Sequence, residues 1–173
     1  CIRDRDSTAL KQALALLLTI NRIPQLYYGT EVLMNGTKEV TDGNVRCDFP
    51  GGFAGDKHNA FTAEGRTKAE NAMFNWLSKL LKWRRNNMVI TKGKQIQFIP
   101  YKGVYVIARQ WNNQTILTIL NGTSQPVTLL LDRYAEVIGN HQEAKDVISG
   151  RKVKLGSELQ LKARDTKVIE LSM

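Results

Sequence analysis

Apolar residues recur at helical spacing near the beginning of the chain. The stripe consists of Leu10, Ala13, Leu14, Leu17 and Leu18. Its spacing predicts a helix that begins after a capping position at 6–8, and its width requires neighbours on more than one side. Leu26-Tyr27-Tyr28 follows Pro24 and predicts a short buried strand. A helix joined to a strand by so short a connection is typical of parallel sheets and barrels.

A second helix is predicted from Thr67 to Arg85. Thr67 and Glu70 have the spacing of a capping box, and an apolar stripe follows them. The stripe consists of Met73, Trp76, Leu77, Leu80 and Leu81. Residues 35–61 are rich in glycine and predict a long loop. Loops of this length are usually functional or disordered. The phenylalanines in this loop favour an ordered segment that packs on something.

The spacing of apolar residues changes to two after Met88, which predicts strands. These strands cover 96–99, 104–109, 115–120, 127–131, 146–148, 159–161 and 168–171. Turn signals separate them at Asn112-Asn113, Asn121-Gly122 and Ser149-Gly150. Short strands with regular turns are typical of an antiparallel sandwich. We therefore predict a boundary near residue 88, between an α/β part at 1–87 and an all-β domain at 88–173.

The α/β part looks incomplete, because one strand and two helices cannot close a parallel sheet. The chain also opens with Cys1 in a charged stretch and not with methionine. We interpret the sequence as a mature chain or as the tail of a larger protein.

Composition narrows the class of protein. Of 173 residues, 42% are hydrophobic and 24% are charged, as in soluble globular proteins, and residues 13–30 are too polar to span a membrane. The net charge of +9 is spread over dispersed basic residues without a nucleic-acid motif, so a solvated surface is favoured over nucleic-acid binding. Cys1 and Cys47 can pair, although two free thiols are favoured.

Four segments resemble the α-amylase family of glycoside hydrolases, in the order that the family shows. Residues 23–31 are similar to the eighth barrel strand, and residues 42–53 are similar to the loop after it in the neopullulanase and cyclomaltodextrinase branch. Residues 62–66, with 80–84, are similar to the final barrel helix. Residues 146–153 are similar to a late motif of the β domain. The family usually has glycine where this chain has Arg22.

The resemblance implies an α+β chain that contains the end of a TIM (β/α)8 barrel, followed by an antiparallel β-sandwich. It implies a parent enzyme that hydrolyses α-glucosidic bonds in starch-type glucans or dextrins by a retaining two-carboxylate mechanism. In the family the catalytic groups precede the eighth strand, and this chain contains no Asn-His-Asp motif. We therefore expect no catalytic residue, no cofactor and no metal site in this chain, and no activity of the chain alone.

Two other interpretations stay open. The chain can be a carbohydrate-binding or structural β-sandwich module without catalysis, for which the aromatic candidates are Trp111, Tyr101, Tyr105 and Tyr134. A basic nucleic-acid binder ranks last. No membrane partner is expected, and the resemblance favours a periplasmic or secreted location.

The candidate substrate-binding residues lie at the end of the predicted strand and in the long loop. They are Tyr28, Glu31, Asp42, Arg46, Asp48 and Phe49. Gly29 permits a tight turn or a positive φ. Glu31 can bind a sugar hydroxyl or form a salt bridge. The three charged loop residues can bond sugar hydroxyls or one another, and a network among themselves is favoured. Phe49 and Phe53 can stack on pyranose rings or pack the loop. His58 is a weaker candidate, more probable at the surface.

The first helix raises one further expectation. Its leucines, with Leu26 and Tyr27, would form a large apolar patch if no barrel strands covered them. We therefore expect self-association through this helix, or its packing against the β domain.

Overall fold

The structure is a computed structural model that describes residues 7–36, 39 and 41–171. The α-helices are α1 (Ser7–Thr19), α2 (Lys68–Arg85), α3 (Met88–Lys92) and α4 (Ala135–Ile138). The strands are β1 (Lys94–Gln97), β2 (Val104–Trp111), β3 (Gln114–Asn121), β4 (Val127–Leu130), β5 (Glu143–Asp146), β6 (Lys152–Lys154), β7 (Glu158–Leu161) and β8 (Thr166–Leu171). Short 3₁₀ helices span Thr30–Val32, Asp42–Val45 and Leu131–Tyr134.

These elements form two compact units. The loop unit contains residues 24–78 and the described residues up to Leu10. The sheet unit contains residues 11–23 and the chain from Lys79 onward. No helix in the described ranges is long and apolar enough to cross a membrane.

The sheet unit is built on six antiparallel strands in the order β1-β2-β3-β8-β5-β6, and β4 pairs with β7 in a second sheet. The antiparallel β architecture confirms that part of the predicted fold class. Side chains alternate between the two faces of the large sheet. One face places Ala108, Leu117 and Ile169 in register in the main core, together with residues of the second sheet. Tyr134 closes this core and meets Phe98 edge to face at 4.8 Å.

The other face of the large sheet holds the C-terminal end of α1. Arg109 on β2 is 1% exposed and donates to the Thr19 carbonyl at 2.9 Å and to the Gly93 carbonyl at 2.7 Å. Arg84 donates to the Leu18 carbonyl at 2.8 Å, and the Thr118 hydroxyl donates to that of Thr19 at 2.9 Å. Carbonyls in the last turn of a helix lack intrahelical partners, so the two arginines satisfy those of Thr19 and Leu18.

Arg109 has no carboxylate within ion-pair distance in the described part of the chain. Burial lowers the pKa of its guanidinium, and the charge of Arg84 lowers it further. Arginine nevertheless stays protonated at neutral pH. The negative end of the α1 dipole, together with the carbonyls, therefore offsets the buried charge.

The predicted strand at 26–28 is wrong. Residues 23–27 have no regular structure, and a turn follows them. A strand needs a neighbour for its backbone groups, and every described strand lies after residue 93.

Further differences lie in the β part. The strand predicted at 146–148 is β5, which ends at Asp146, because the Asp146 carboxylate accepts hydrogen bonds from the backbone and hydroxyl of Ser149 at 2.6 and 2.7 Å. This contact makes a turn of the residues that follow. Strand β6 and helices α3 and α4 were not predicted. The boundary near residue 88 stays a prediction, although the sheet unit also contains residues 11–23 and 79–87.

The expected apolar patch is wrong for the leucines of the first helix, since Leu14 is 4% exposed and Leu18 is fully buried. Tyr27, which was expected in the same patch, is 52% exposed. The alternative expectation, packing against the β domain, describes this part of the helix, because the end of α1 lies on the large sheet.

The contacts of Arg109 predict a large effect on stability. Arg109→Met keeps an apolar stem but leaves two buried carbonyls without donors, which lowers the free energy of unfolding by about 3 kcal/mol. Urea denaturation followed by circular dichroism measures the change. Arg151→Met is the control, because Arg151 is exposed, and it shifts stability by less than about 0.5 kcal/mol. Equal stability of the two variants would contradict this account of the helix end.

Candidate functional site

The first part of the candidate site is the turn after Tyr28. Gly29 has φ of 77°, and a Cβ there would lie 2.2 Å from Met34 Sδ. The Gly29 carbonyl accepts from the Met34 backbone at 2.9 Å, which reverses the chain. The expected positive φ at Gly29 is confirmed. Glycine is needed both for the backbone conformation and for the space.

Tyr28 joins this turn to the long loop. Its hydroxyl donates to the Cys47 carbonyl at 2.8 Å, and its ring lies 4.6 Å from that of Tyr27. Hydrogen bonding with the Tyr27 side chain is the largest cause that raises the pKa of Tyr28, followed by burial. The hydroxyl is therefore a neutral donor at physiological pH. A cavity of about 10 Å³ beside the two rings has room for about one water molecule and not for a sugar.

The charged candidates remain open to solvent. Asp42 begins a 3₁₀ helix that Thr41 caps by accepting from the Asn44 backbone at 3.3 Å. Asp42, Arg46 and Asp48 are exposed, and no ion pair joins them within the described residues. The favoured network among these three side chains is therefore absent.

Glu31 lies half-buried in the 3₁₀ helix Thr30–Val32. Across the described ranges it forms no ion pair, so the salt bridge considered for it is not found.

The aromatic residues of the loop divide into two roles. The ring of Phe49 lies 4.5 Å from that of Phe61, so Phe49 packs the loop. Phe53 is 65% exposed at the loop tip. Of the two predicted stacking candidates, Phe53 offers the more accessible face.

Asp56 organises the loop tip and was missed by the sequence reasoning. Its carboxylate accepts from the Gly51 backbone at 2.7 Å and from the Phe53 backbone at 3.0 Å. The Phe53 bond is the largest cause that lowers the pKa of Asp56, and the Gly51 bond is the next. Gly51 has φ of 100° and leaves space that Asn59 fills. An aspartate just after a glycine pair was the available signal.

His58 is tied to the start of α2. Its Nε2 lies 3.3 Å from Glu70, whose second oxygen accepts from the Thr67 backbone at 2.7 Å. The Glu70 backbone donates to the Thr67 hydroxyl at 3.2 Å, so the predicted capping box is confirmed. The His58 ring thus supports a helix cap.

Metal-ligating side chains do not cluster in the ranges that the structure describes, where no three of His, Cys, Asp and Glu converge. Cys47 is an exposed free thiol, and Cys1 lies outside the described residues. The site is therefore a structured loop with exposed carboxylates, one guanidinium and one exposed aromatic ring.

Known proteins match both the sequence and the fold. Residues 95–170 match the sequence model of the cyclo-malto-dextrinase C-terminal domain. The chain is 28% identical over 152 residues to the cyclomaltodextrin glucanotransferase of Bacillus sp. (strain 6.6.3), covering 83% of this chain and 19% of that protein. It is 30% identical over 112 residues to the α-amylase of Niallia circulans, and the match covers 65% of this chain and 18% of that protein.

Solved structures show the same fold. The α-amylase from Geobacillus thermoleovorans in complex with acarbose superposes with a TM-score of 0.70 at 22% identity, covering 96% of this chain and 33% of that one. The Anoxybacillus α-amylase gives a TM-score of 0.68 at 20% identity, and the match covers 95% of this chain and 32% of that one.

These matches support a carboxy-terminal part of an α-amylase-family enzyme. Within this chain, residues 95–170 are the domain that follows the cyclomaltodextrinase pattern. The chain spans about a fifth of the length of the curated relatives that it matches.

The lowered pKa of Asp56 predicts a pH-dependent loop tip. The carboxylate bonds are fully present above pH about 4, the unfolded value, and are lost as the pH falls through the lower folded value. In NMR spectra the Gly51 and Phe53 amide signals then move together below pH 4, and Asp56→Asn moves them at pH 7. Asp48→Asn is the control and leaves them in place. Unmoved signals in Asp56→Asn would contradict the role of this carboxylate.

Proposed function

We propose that the chain is the carboxy-terminal piece of a glycosidase that hydrolyses α-glucosidic bonds in starch-type glucans or dextrins. The observation that carries this proposal is the likeness to α-amylases over 96% of the chain, which includes the loop unit as well as the β domain. The names of the sequence relatives, cyclomaltodextrin glucanotransferase and α-amylase, support it. The neopullulanase and cyclomaltodextrinase branch is proposed because of residues 42–53.

The loop unit is proposed to be the end of the catalytic (β/α)8 barrel. In this proposal residues 23–28, which are not a strand in the structure, stand at the place of the eighth barrel strand. Tyr28, Gly29 and Glu31 follow at the end of the barrel where active sites lie. The loop at 35–61 would lie on the same side.

The chemistry would belong to residues outside this chain. A retaining glycosidase needs a nucleophile and an acid/base about 5–5.5 Å apart. This chain contributes the wall of the site: the carboxylates of Glu31, Asp42 and Asp48 accept from sugar hydroxyls, and Arg46 donates to them. The exposed ring of Phe53 offers an apolar face to a pyranose ring.

Activity measurements test the proposal. The purified chain of 173 residues releases no reducing sugar from maltoheptaose or β-cyclodextrin, whereas the product of the reading frame extended upstream of Cys1 does. That extension is expected to encode an Asn-His-Asp motif. Hydrolysis by the chain alone would refute the inactive fragment, and an inactive extended product that still binds glucan would favour a binding module.

Self-association is proposed through the loop unit and not through α1. Tyr27, Phe53 and Phe61 are each more than half exposed, and exposed apolar side chains favour contacts between copies. Light scattering of the purified chain should show a mass that rises with concentration, less so in Phe53→Ser than in the control Tyr101→Ser. A monomer at every concentration would refute this proposal.

A further inference from the structure

The sheet unit carries a groove that none of the roles above uses. It lies where the helix-covered face of the large sheet meets the junction between α2 and α3. Its polar lining residues include Asn86, Asn87, Asn113, Gln114, Lys145 and Glu170. The cavity volume is about 430 Å³, within the range of about 300–1,000 Å³ that is typical of small-molecule sites.

The carboxylate of Glu170 is held in a fixed orientation at this groove. Its Oε1 accepts from Trp83 Nε1 at 2.7 Å and from Asn87 Nδ2 at 3.0 Å. Asn87 is fixed in turn, because its Oδ1 accepts from the backbone of Val89 at 3.0 Å and caps α3. Both hydrogen bonds of Glu170 end on Oε1, which leaves Oε2 as a positioned acceptor.

The β2–β3 hairpin carries a tryptophan that pairs with a lining residue of the groove, although the tryptophan does not itself line it. Asn112 and Asn113 have φ of 47° and 61°, as the two central residues of a type I′ turn do. Trp111 lies directly opposite Gln114 in the register, on the same face of the sheet, so their Cβ atoms are about 5 Å apart. Trp111 is 36% exposed. An indole ring next to a row of amides provides an apolar face beside hydrogen-bonding groups.

The groups in the groove match a neutral polyhydroxylated ligand. Amide side chains both donate and accept, as sugar hydroxyls do. Glu170 and Lys145 lie opposite each other on neighbouring strands, so the lining has no excess of positive charge to attract a phosphate. Apolar side chains such as Val89 and Ile116 complete the lining.

We propose that this groove is a carbohydrate-binding subsite, separate from the loop that carries the candidate substrate residues. Its ligand is a neutral oligosaccharide segment that lies against Trp111 and bonds to Asn113, Gln114 and Glu170. The choice of an α-glucan as that oligosaccharide rests on the proposed function. Such a subsite would hold a glucan chain on the β domain while another part of the chain is cleaved.

A second groove of the sheet unit provides the internal comparison. It lies near α4, has a volume of about 390 Å³ and is lined by Asp132, Asn140, His141 and Gln142 among others. Within the described residues no aromatic side chain other than His141 lines it. It is similar in size, and Trp111 pairs with none of the residues that line it, so it tests whether a polar groove alone suffices.

Titration of the purified 173-residue chain with maltotriose, followed by amide NMR signals, tests the proposal. Saturable shifts are expected at Asn113–Ile116, Lys145 and Glu170. Trp111→Ala should weaken binding by about fivefold or more, the equivalent of about 1 kcal/mol. Glu170→Gln still accepts from Trp83 but turns the second oxygen into a donor, and should weaken binding by about threefold. Asn140→Ala, in the groove near α4, should leave binding unchanged.

Three outcomes would overturn the assignment. The first is the absence of saturable shifts, and the second is shifts centred on residues 131–142. The third is equal binding by wild type, Trp111→Ala and Glu170→Gln, when thermal unfolding shows that all three proteins are folded. Equal binding of cellotriose would overturn the choice of α-glucans. Because binding is measured on this chain alone, its failure is distinguishable from a failure of hydrolysis by the extended protein.

Discussion

The last turn of α1 needs hydrogen-bond donors, and the rest of the sheet unit is arranged to supply them. Arg109 reaches it from β2, Thr118 from β3 and Arg84 from the end of α2. The two arginines bind backbone oxygens of this turn and Thr118 binds the Thr19 hydroxyl, so three elements distant in sequence converge on it. Because Arg109 also binds the Gly93 carbonyl at the end of α3, the same guanidinium fixes the start of the sheet. A carboxylate partner would have competed with these carbonyls for its donors.

This arrangement determines where polar groups can gather on that face of the sheet. The helices cover its middle, so Ile116 and Thr118 are buried there. At the junction of α2 and α3, Glu170 is held by side chains of the helices instead of by an opposite charge. The proposed carbohydrate groove lies at this junction.

Elements that depend on local pattern were predictable from the sequence. Helix α2 and strands β2 and β3 follow the spacing of their own apolar residues, and the capping box at Thr67 appears where the pattern indicates it. The strand at 26–28 failed because a strand is defined by its partner, which residue spacing does not reveal. Strand β5 ends earlier than predicted because the Asp146 carboxylate accepts from the Ser149 backbone and so stabilises a turn. The residues in that turn are otherwise typical of a strand.

The candidate site was predictable only in part. Sequence reasoning found the turn at Gly29, but it could not show that Phe49 packs while Phe53 stays exposed. Asp56 was missed because its partners are backbone amides of residues that carry no chemical signal themselves. Arg109 was read as one basic residue among many, since its partners are carbonyl oxygens up to 90 positions away.

The buried guanidinium has a consequence for defining an autonomous β module. A gene trimmed at residue 88, where the hydrophobic period changes, would encode every strand yet omit Thr19 and Arg84. Such a product would carry a desolvated cation without its helix terminus and an unpaired Thr118 hydroxyl. The smallest self-sufficient version must therefore retain residues 11–23 and 79–87, so the evolutionary unit that recombines in this family need not coincide with the unit that folds.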